Sequence, residues 1–478
     1  MHNVESKTNP LFENSLAMNT FWEFERQGVI YCLWKSKDRF EEGIRGDTDL
    51  DVLVDKNSRV KLFQILKEKM WMRVIAESWR TFPDVYDFIG FEEKTGKVLH
   101  MHIHFQLVMG ESGVKSLSLP WERTYFNNVI TEHGVNFIRP ELELIVLIIR
   151  ISLKISLKDY VYASLFFSPR KIFRNMVSEY HELKEQCDRQ LFERLLGSEQ
   201  VKCIDNEILL SAYDDIYSYN HNKRWKIKKE IGKFRRYSEL TVQYKKRKSY
   251  VEQRIYGVGK TMGEKNKRFA VCGPDGSGKT TLVIRIQKEL GKHVLLDVVY
   301  MGGSPMSRKL PRKILRATIF PVYTILRRTL DLITLNNTAA VLRDRYYALE
   351  DRLITQEKIE RYSGSLTKYQ SGHFVLYERF PIFEKYGDGG EDESKIRLEQ
   401  TVTLPDRVFV LMVEESDALL RKSDHDAIDL AKKIAAFRQF KASHKDNPQL
   451  SFIGPGLNED AVFNQVMAEI FAELCSDN

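Results

Sequence analysis

The stretch FAVCGPDGSGKTTLV, residues 269–283, joins a short apolar run to a glycine-rich turn and then to a helix-forming segment that continues as IRIQKEL. Gly273, Gly278, Lys279 and Thr280 fit the spacing G-x-x-x-x-G-K-[ST], and the expected strand before and helix after give the motif its required context. Glycines let the backbone curl so that successive N–H groups and the helix N-terminus point at phosphate oxygens. Lys279 then bridges the β- and γ-phosphates of a nucleotide, and the Thr280 hydroxyl holds Mg²⁺. Asp275, Gly276, Ser277 and Thr281 complete the predicted cradle, so ATP and Mg²⁺ are the expected cofactors.

Outward from this loop, RFAVCG, HVLLDVVYM, HFVLYE, RVFVLMV and LSFIG are short apolar runs separated by helical segments. That rhythm predicts an α/β domain with a parallel sheet covered by helices on both faces. The loop also resembles that of thymidylate kinases and their relatives, D-G-x-G-K-T-T. HFVLYERFP resembles the family's strand ending in Asp-Arg-Tyr or Asp-Arg-Phe, with Glu378, Arg379 and Phe380 in those places. LPDRVFVLMVEESDALLRK resembles its next strand and the start of a basic lid, which makes Arg421, with Lys422 beside it, a lid arginine. The resemblance spans roughly residues 265–478. It implies phosphoryl transfer from ATP to a small acceptor, with Lys279, Arg379 and Arg421 on the transferring phosphate, Glu378 near magnesium or a substrate hydroxyl, and Asp275 facing the acceptor. It also implies a homodimer. The chain departs from the family at YMGGSPMS and at PIFEKYGDGGEDES, where the acceptor-binding stretches Arg-Glu-Pro and Ala-Tyr-Gln would stand. These departures are more like a divergent branch often found with bacterial surface-polysaccharide genes, and the acceptor expected is a nucleotide or a sugar-like hydroxyl or phosphate compound. MSRKLPRKILRATIFPVYTILRRTL, basic and apolar by turns, either lines that pocket, binds an acidic surface or packs on the sheet.

The first half carries a second phosphate chemistry. In IYCLWKSKDRFEEGIRGDTDLDVLVD, residues 30–55, Asp49 and Asp51 open an apolar strand and project to the same side, because strand side chains alternate. Two carboxylates held that close favour a cation between them, so both are candidate metal ligands. The arrangement resembles nucleotidyltransferases related to DNA polymerase β, in which a Gly-Ser turn precedes such a pair; Lys35-Ser36 stands here, with twelve residues between Ser36 and Asp49. This resemblance covers roughly residues 20–150 and implies an α+β domain. Active members add a third carboxylate from a later strand, whereas the matching run HMHIHFQL offers His100, His102 and His104.

At 478 residues the chain exceeds one core. Its expected parts are a nucleotidyltransferase-like domain (1–150), a helical basic connecting region (151–264) and a thymidylate kinase-like P-loop domain (265–478). The net charge of +8 is concentrated between Lys223 and Lys248, where twelve Lys or Arg face two Glu. That run is either a solvated face or a docking surface for RNA or another anionic partner. Five separated cysteines and no CxxC pair point away from a disulfide framework or zinc ribbon and toward a reducing, cytoplasmic setting. No integral membrane segment is expected: ELELIVLIIRISLKISLKDYVYASLFF is cut by Arg150, Lys154 and Lys158 before it reaches the roughly 20 apolar residues of a span. Three functional readings follow. In one the chain is a kinase; in another the first half modifies RNA or protein with a nucleotidyl group while the P-loop domain senses nucleotide; in the third the chain is a nucleotide-gated binding protein without turnover.

Overall fold

The structure is a computed structural model that describes residues 15–476 apart from 78–79, 112–113, 155–170, 199–200, 202–203, 217–220, 257–258, 263–265, 304–316, 319–320, 323, 327–328, 330–335, 386–392 and 422–426. Lys422, Gly257, Gly263 and most of the basic stretch after Met306 therefore lie outside the described residues. The chain forms two compact units, Met1–Thr261 with Phe471–Asn478, and Met262–Ile470.

The first unit is built on strands β1 (Tyr31–Leu33), β2 (Leu50–Val54), β3 (Met72–Val74), β4 (Val85–Glu92), β5 (Lys97–His104), β8 (Val129–Glu132) and β9 (Val135–Ile138), while β6 (Leu107–Glu111) and β7 (Val114–Leu119) pair separately. The seven-stranded sheet has the order β3-β4-β5-β2-β1-β9-β8 and mixes parallel with antiparallel pairs. LDVLV is buried along its whole length, as expected of a central strand. Helix Pro140–Lys154, cut from the most apolar run of the sequence, is buried from Glu141 to Leu153 apart from Arg150. It shares a core with β-sheet residues such as Leu53 and with Tyr180, Phe192, Leu209 and Ile227 from the helices that follow. One oxygen of each of its buried acids is paired: Glu141 Oε1 accepts the Asp188 N–H at 2.9 Å, and Glu143 Oε1 accepts that of Ser36. No helix among the described residues is long and apolar enough to cross a membrane.

The second unit carries β10 (Arg268–Cys272), β11 (Leu296–Tyr300), β12 (Phe374–Glu378), β13 (Arg407–Leu411) and β14 (Leu450–Ile453), all parallel, in the order β11-β12-β10-β13-β14. Ala270, Cys272, Val375, Tyr377, Val408 and Val410 pack in one cluster with Tyr362, Phe437 and Phe440. The alternate residues Phe269, Val271, Phe374, Leu376 and Phe409 are equally buried, so both faces of the sheet are covered. Phe269 stacks between Phe374 and Phe409 of its neighbouring strands, at 5.1 and 6.2 Å between ring centroids. This is the α/β arrangement expected, and it gathers the carboxyl ends of β10, β11 and β12: Val271 pairs with Glu378, and Glu378 with Tyr300.

Candidate functional sites

The loop after β10 takes the conformation its glycines permit. Gly273, Gly276 and Gly278 have φ of +143°, +80° and +87°, in the region that only glycine enters readily. A β-carbon on Gly273 would sit 2.5 Å from the Leu411 carbonyl oxygen, and one on Gly276 would sit 3.0 Å from the Ala418 backbone. Helix Lys279–Leu290 starts directly after Gly278, so its N-terminus opens onto the loop.

Lys279 is buried and donates to the Pro274 carbonyl at 2.6 Å. Burial, followed by the charge of Arg379, lowers its pKa to about 8. Thr280 Oγ1 donates to Glu378 Oε1 at 2.6 Å, which ties the start of the helix to the end of β12. Arg379 follows at φ +58°, an uncommon conformation for a side-chain-bearing residue, and its Nη1 donates to Asp275 Oδ1 at 3.0 Å. The second oxygen of Asp275 lies 3.4 Å from Lys433 Nζ. Burial alone would raise the Asp275 pKa, but the charges of Arg379, Lys279 and Lys433 hold it below the usual carboxylate value. Arg421 Nη1 donates to the Gly276 carbonyl at 3.2 Å. Asp275, Lys279, Thr280, Glu378, Arg379 and Arg421 are thus gathered around one loop.

Beside the loop lies a cavity of about 320 Å³, reached by Ser277, Gly278 and Thr281 and walled by Leu282, Val413 and Phe463. Arg285 crosses the Phe463 ring at 4.0 Å. On the side of β11, Arg361 braces the chain by donating to the carbonyls of Tyr300 and Gly302 at 3.1 and 3.2 Å, with buried Glu357 as its ion-pair partner. Lys433 and Arg361 were not singled out from the sequence. Each comes from a helix distant in the chain and carries no local motif.

In the first unit, Asp51 pairs in register with His102 on β5, which in turn faces Asp87 on β4. Asp87 is the residue sequence reading missed: a buried carboxylate that contacts the same histidines as Asp49 and Asp51, supplied by a strand before the histidine run. His102 is wedged between acids, with Nε2 2.6 Å from Asp87 Oδ1 and Nδ1 3.4 Å from Asp51 Oδ1. His100 spans Asp49, at 2.6 Å, and Asp87, at 3.0 Å. Lys35 lies 3.0 Å from Asp51 and Lys260 3.3 Å from Asp87. Burial pushes the Asp49 carboxyl up, but the hydrogen bond and charge of His100 prevail and hold it at about 2. Asp51 is held far below its usual value, against burial, by Lys35 and His102. Burial keeps His104 neutral, its pKa lowered to about 3.

The basic run Lys223–Lys248 divides between helix His221–Glu230, the turn Ile231–Phe234 and helix Glu239–Tyr256. Arg224 is turned inward to the Ser152 carbonyl at 2.8 Å, and Ile227 and Ile231 are buried, so the run is partly a packing surface. Trp225 and Tyr244 are exposed along it.

No family model and no curated protein matches the chain. Two solved structures of deoxyadenosine kinase from M.mycoides align with it at 15% identity. One holds the products dCMP and a flexible dCDP, the other dATP. The alignments cover 42% and 43% of this chain and 98% and 99% of those chains, with TM-scores of 0.28 and 0.26.

Proposed function

We propose that the unit Met262–Ile470 is an ATP-dependent phosphotransferase of the nucleoside or nucleoside monophosphate kinase type. The observation that carries this reading is the Thr280–Glu378 hydrogen bond at the mouth of a glycine loop whose lysine is folded back on a loop carbonyl. A hydroxyl and a carboxylate side by side are hard oxygen donors and fit Mg²⁺, which, when bound, neutralises charge on the β- and γ-phosphates. The nucleobase of ATP would enter the cavity walled by Leu282, Val413 and Phe463, which is of a size suited to small ligands.

Phosphoryl transfer needs alignment and charge compensation more than covalent help from the protein. Lys279, released from Pro274 by the incoming triphosphate, would donate to the phosphates. Arg421 reaches the loop from the cavity side and Arg379 from the end of β12, so positive charge can approach the transferring group from two directions. Asp275 stays ionised between Arg379 and Lys433. It would accept a hydrogen bond from the acceptor's hydroxyl and fix that oxygen in line with the γ-phosphate. The acceptor would be a nucleotide or a sugar-like compound with a hydroxyl or phosphate near that carboxylate.

Purified protein given γ-labelled MgATP and pooled nucleosides, nucleoside monophosphates and sugar phosphates should transfer label to a small acceptor. Lys279→Ala should lower that rate about 10²–10³-fold. Label transfer that persists in Lys279→Ala would overturn the reading. A second reading, nucleotidyl transfer by the first unit, is favoured by Asp87, a third carboxylate that shares His100 with Asp49 and His102 with Asp51. The same experiment with α-labelled ATP and bulk RNA or protein separates the two, since only nucleotidyl transfer moves the α-phosphate.

A further inference from the structure

We infer that Asp51, His102 and His104 of the first unit form a binding site for a divalent transition cation of the zinc or cobalt class, distinct from the magnesium site of the phosphate loop. The site arises from strand geometry. His102 and His104 stand two residues apart on β5, so they project to one face about 6.6 Å apart at their backbones, a spacing that lets two imidazoles converge on one ion. Asp51 is the register partner of His102 on the adjacent parallel strand β2. Asp51 Oδ1 lies 3.4 Å from His102 Nδ1 and 3.7 Å from His104 Nε2, and the three ligand atoms all fall within 4.8 Å of one another.

The His104–Asp51 separation is that of ligands waiting on an ion rather than bonded to each other, and His102 meets Asp51 only at the long limit of a hydrogen bond. Zinc bonds to nitrogen and carboxylate oxygen are about 2.0–2.2 Å, which sets the edge of a coordination tetrahedron at about 3.3–3.6 Å. A hydrogen bond would draw the same atoms closer than 3.7 Å. His104 makes the argument sharper: it is buried, and neither of its ring nitrogens has a hydrogen-bond partner. An imidazole left so in a polar cluster carries a desolvation cost that a bound cation would remove.

Asp87 supplies the outer contact. Its Oδ1 is 2.6 Å from His102 Nε2, so a proton held there fixes the tautomer that leaves Nδ1 free to face Asp51 and the ion. Asp49, His100 and His102 also lie within 4.8 Å of one another, but the His100 nitrogens are already engaged at shorter range by Asp49 and by Asp87 with Lys260, which favours the group with His104. Two imidazoles and one carboxylate favour zinc, cobalt, nickel or iron over magnesium, and three protein ligands leave a position open for water or a phosphate oxygen. Lys35, 3.0 Å from Asp51 Oδ1, is the internal competitor for that oxygen.

The test uses the full chain, stripped with chelator and titrated with Co²⁺, Zn²⁺ and Mg²⁺ separately. One equivalent of Co²⁺ should bind with the visible bands of low-coordinate cobalt, Zn²⁺ should displace it, and Mg²⁺ in large excess should not. His104→Gln and His102→Gln should abolish the bands. Asp87→Asn should weaken Co²⁺ binding about 10–100-fold while leaving the bands' shape intact. Lys279→Ala should leave Co²⁺ binding unchanged, which separates this site from the kinase site. X-ray absorption at the zinc edge of the unmutated protein reads the ligands without relying on variants that fold, and should show about two imidazoles. No bound Co²⁺, bands that survive both histidine changes, or a zinc shell of sulfur or of oxygen alone would each overturn the proposal.

Discussion

Lys279 is the residue whose electrostatics are most exposed to experiment. Its ammonium is buried beside Arg379, and its pKa stands at about 8 instead of the usual 10.5. In the free protein the folded state disfavours the charged form, so this group costs stability below about pH 8. That cost fades as pH rises between about 8 and 10.5. A bound triphosphate reverses the preference, because its oxygens replace the lost hydration and favour the ammonium. Nucleotide binding above about pH 8 should therefore take up a proton, and ATP affinity should fall as pH rises, approaching tenfold per pH unit. Calorimetry in buffers of different ionisation enthalpy measures that uptake directly. In Lys279→Met both the uptake and the slope should vanish; a slope that persisted would assign the proton to another group.

At the scale of elements, the phosphate loop is held open by backbone geometry and by its neighbours in unequal shares at each glycine. Gly278→Ala meets no atom within 4 Å and would incur only the left-handed φ of +87°, about 1–2 kcal/mol. Gly273→Ala combines φ of +143° with a β-carbon 2.5 Å from the Leu411 carbonyl, so β13 or the loop must shift. Thermal melts should rank Gly273→Ala as clearly the more destabilising, and ATP should rescue Gly278→Ala but not Gly273→Ala. Equal losses would mean that the clash is absorbed elsewhere. The same elements explain what was legible in the sequence. Loop, lysine and threonine are contiguous, so their placement together follows from spacing, and Glu378 and Arg379 close an apolar run that reads as a strand. Lys433 meets Asp275 across 158 positions and Asp87 meets His102 through strand register, and neither relation leaves a mark in the local pattern. For that reason a third carboxylate was sought on β5, which offers only histidines, while Asp87 stands beside them on β4.

For the whole molecule, short apolar runs revealed the five parallel strands of the second unit, most plainly the central β10, β12 and β13, because strands buried on both faces are almost uniformly apolar. It was less informative about what the helices of residues 171–256 pack against, since an amphipathic helix shows that it has a buried face and not which surface covers it. In the structure Tyr180, Phe192 and Ile227 from these helices share one core with Leu142, Ile145 and Ile149 of helix Pro140–Lys154. Each unit has a core of its own, so heat should unfold the chain in two resolvable transitions. On the proposed function MgATP binds the folded P-loop unit and should raise one of them, by an amount that grows with the logarithm of its concentration. Phe192→Ala removes a fully buried ring from the other core, a change that costs about 3–5 kcal/mol, and should lower the transition that MgATP leaves in place. Differential scanning calorimetry with and without MgATP, on the unmutated chain and on Phe192→Ala, distinguishes the outcomes. Two transitions that respond separately would assign each core to its unit, whereas a single transition moved by both perturbations would show that the units unfold as one cooperative body.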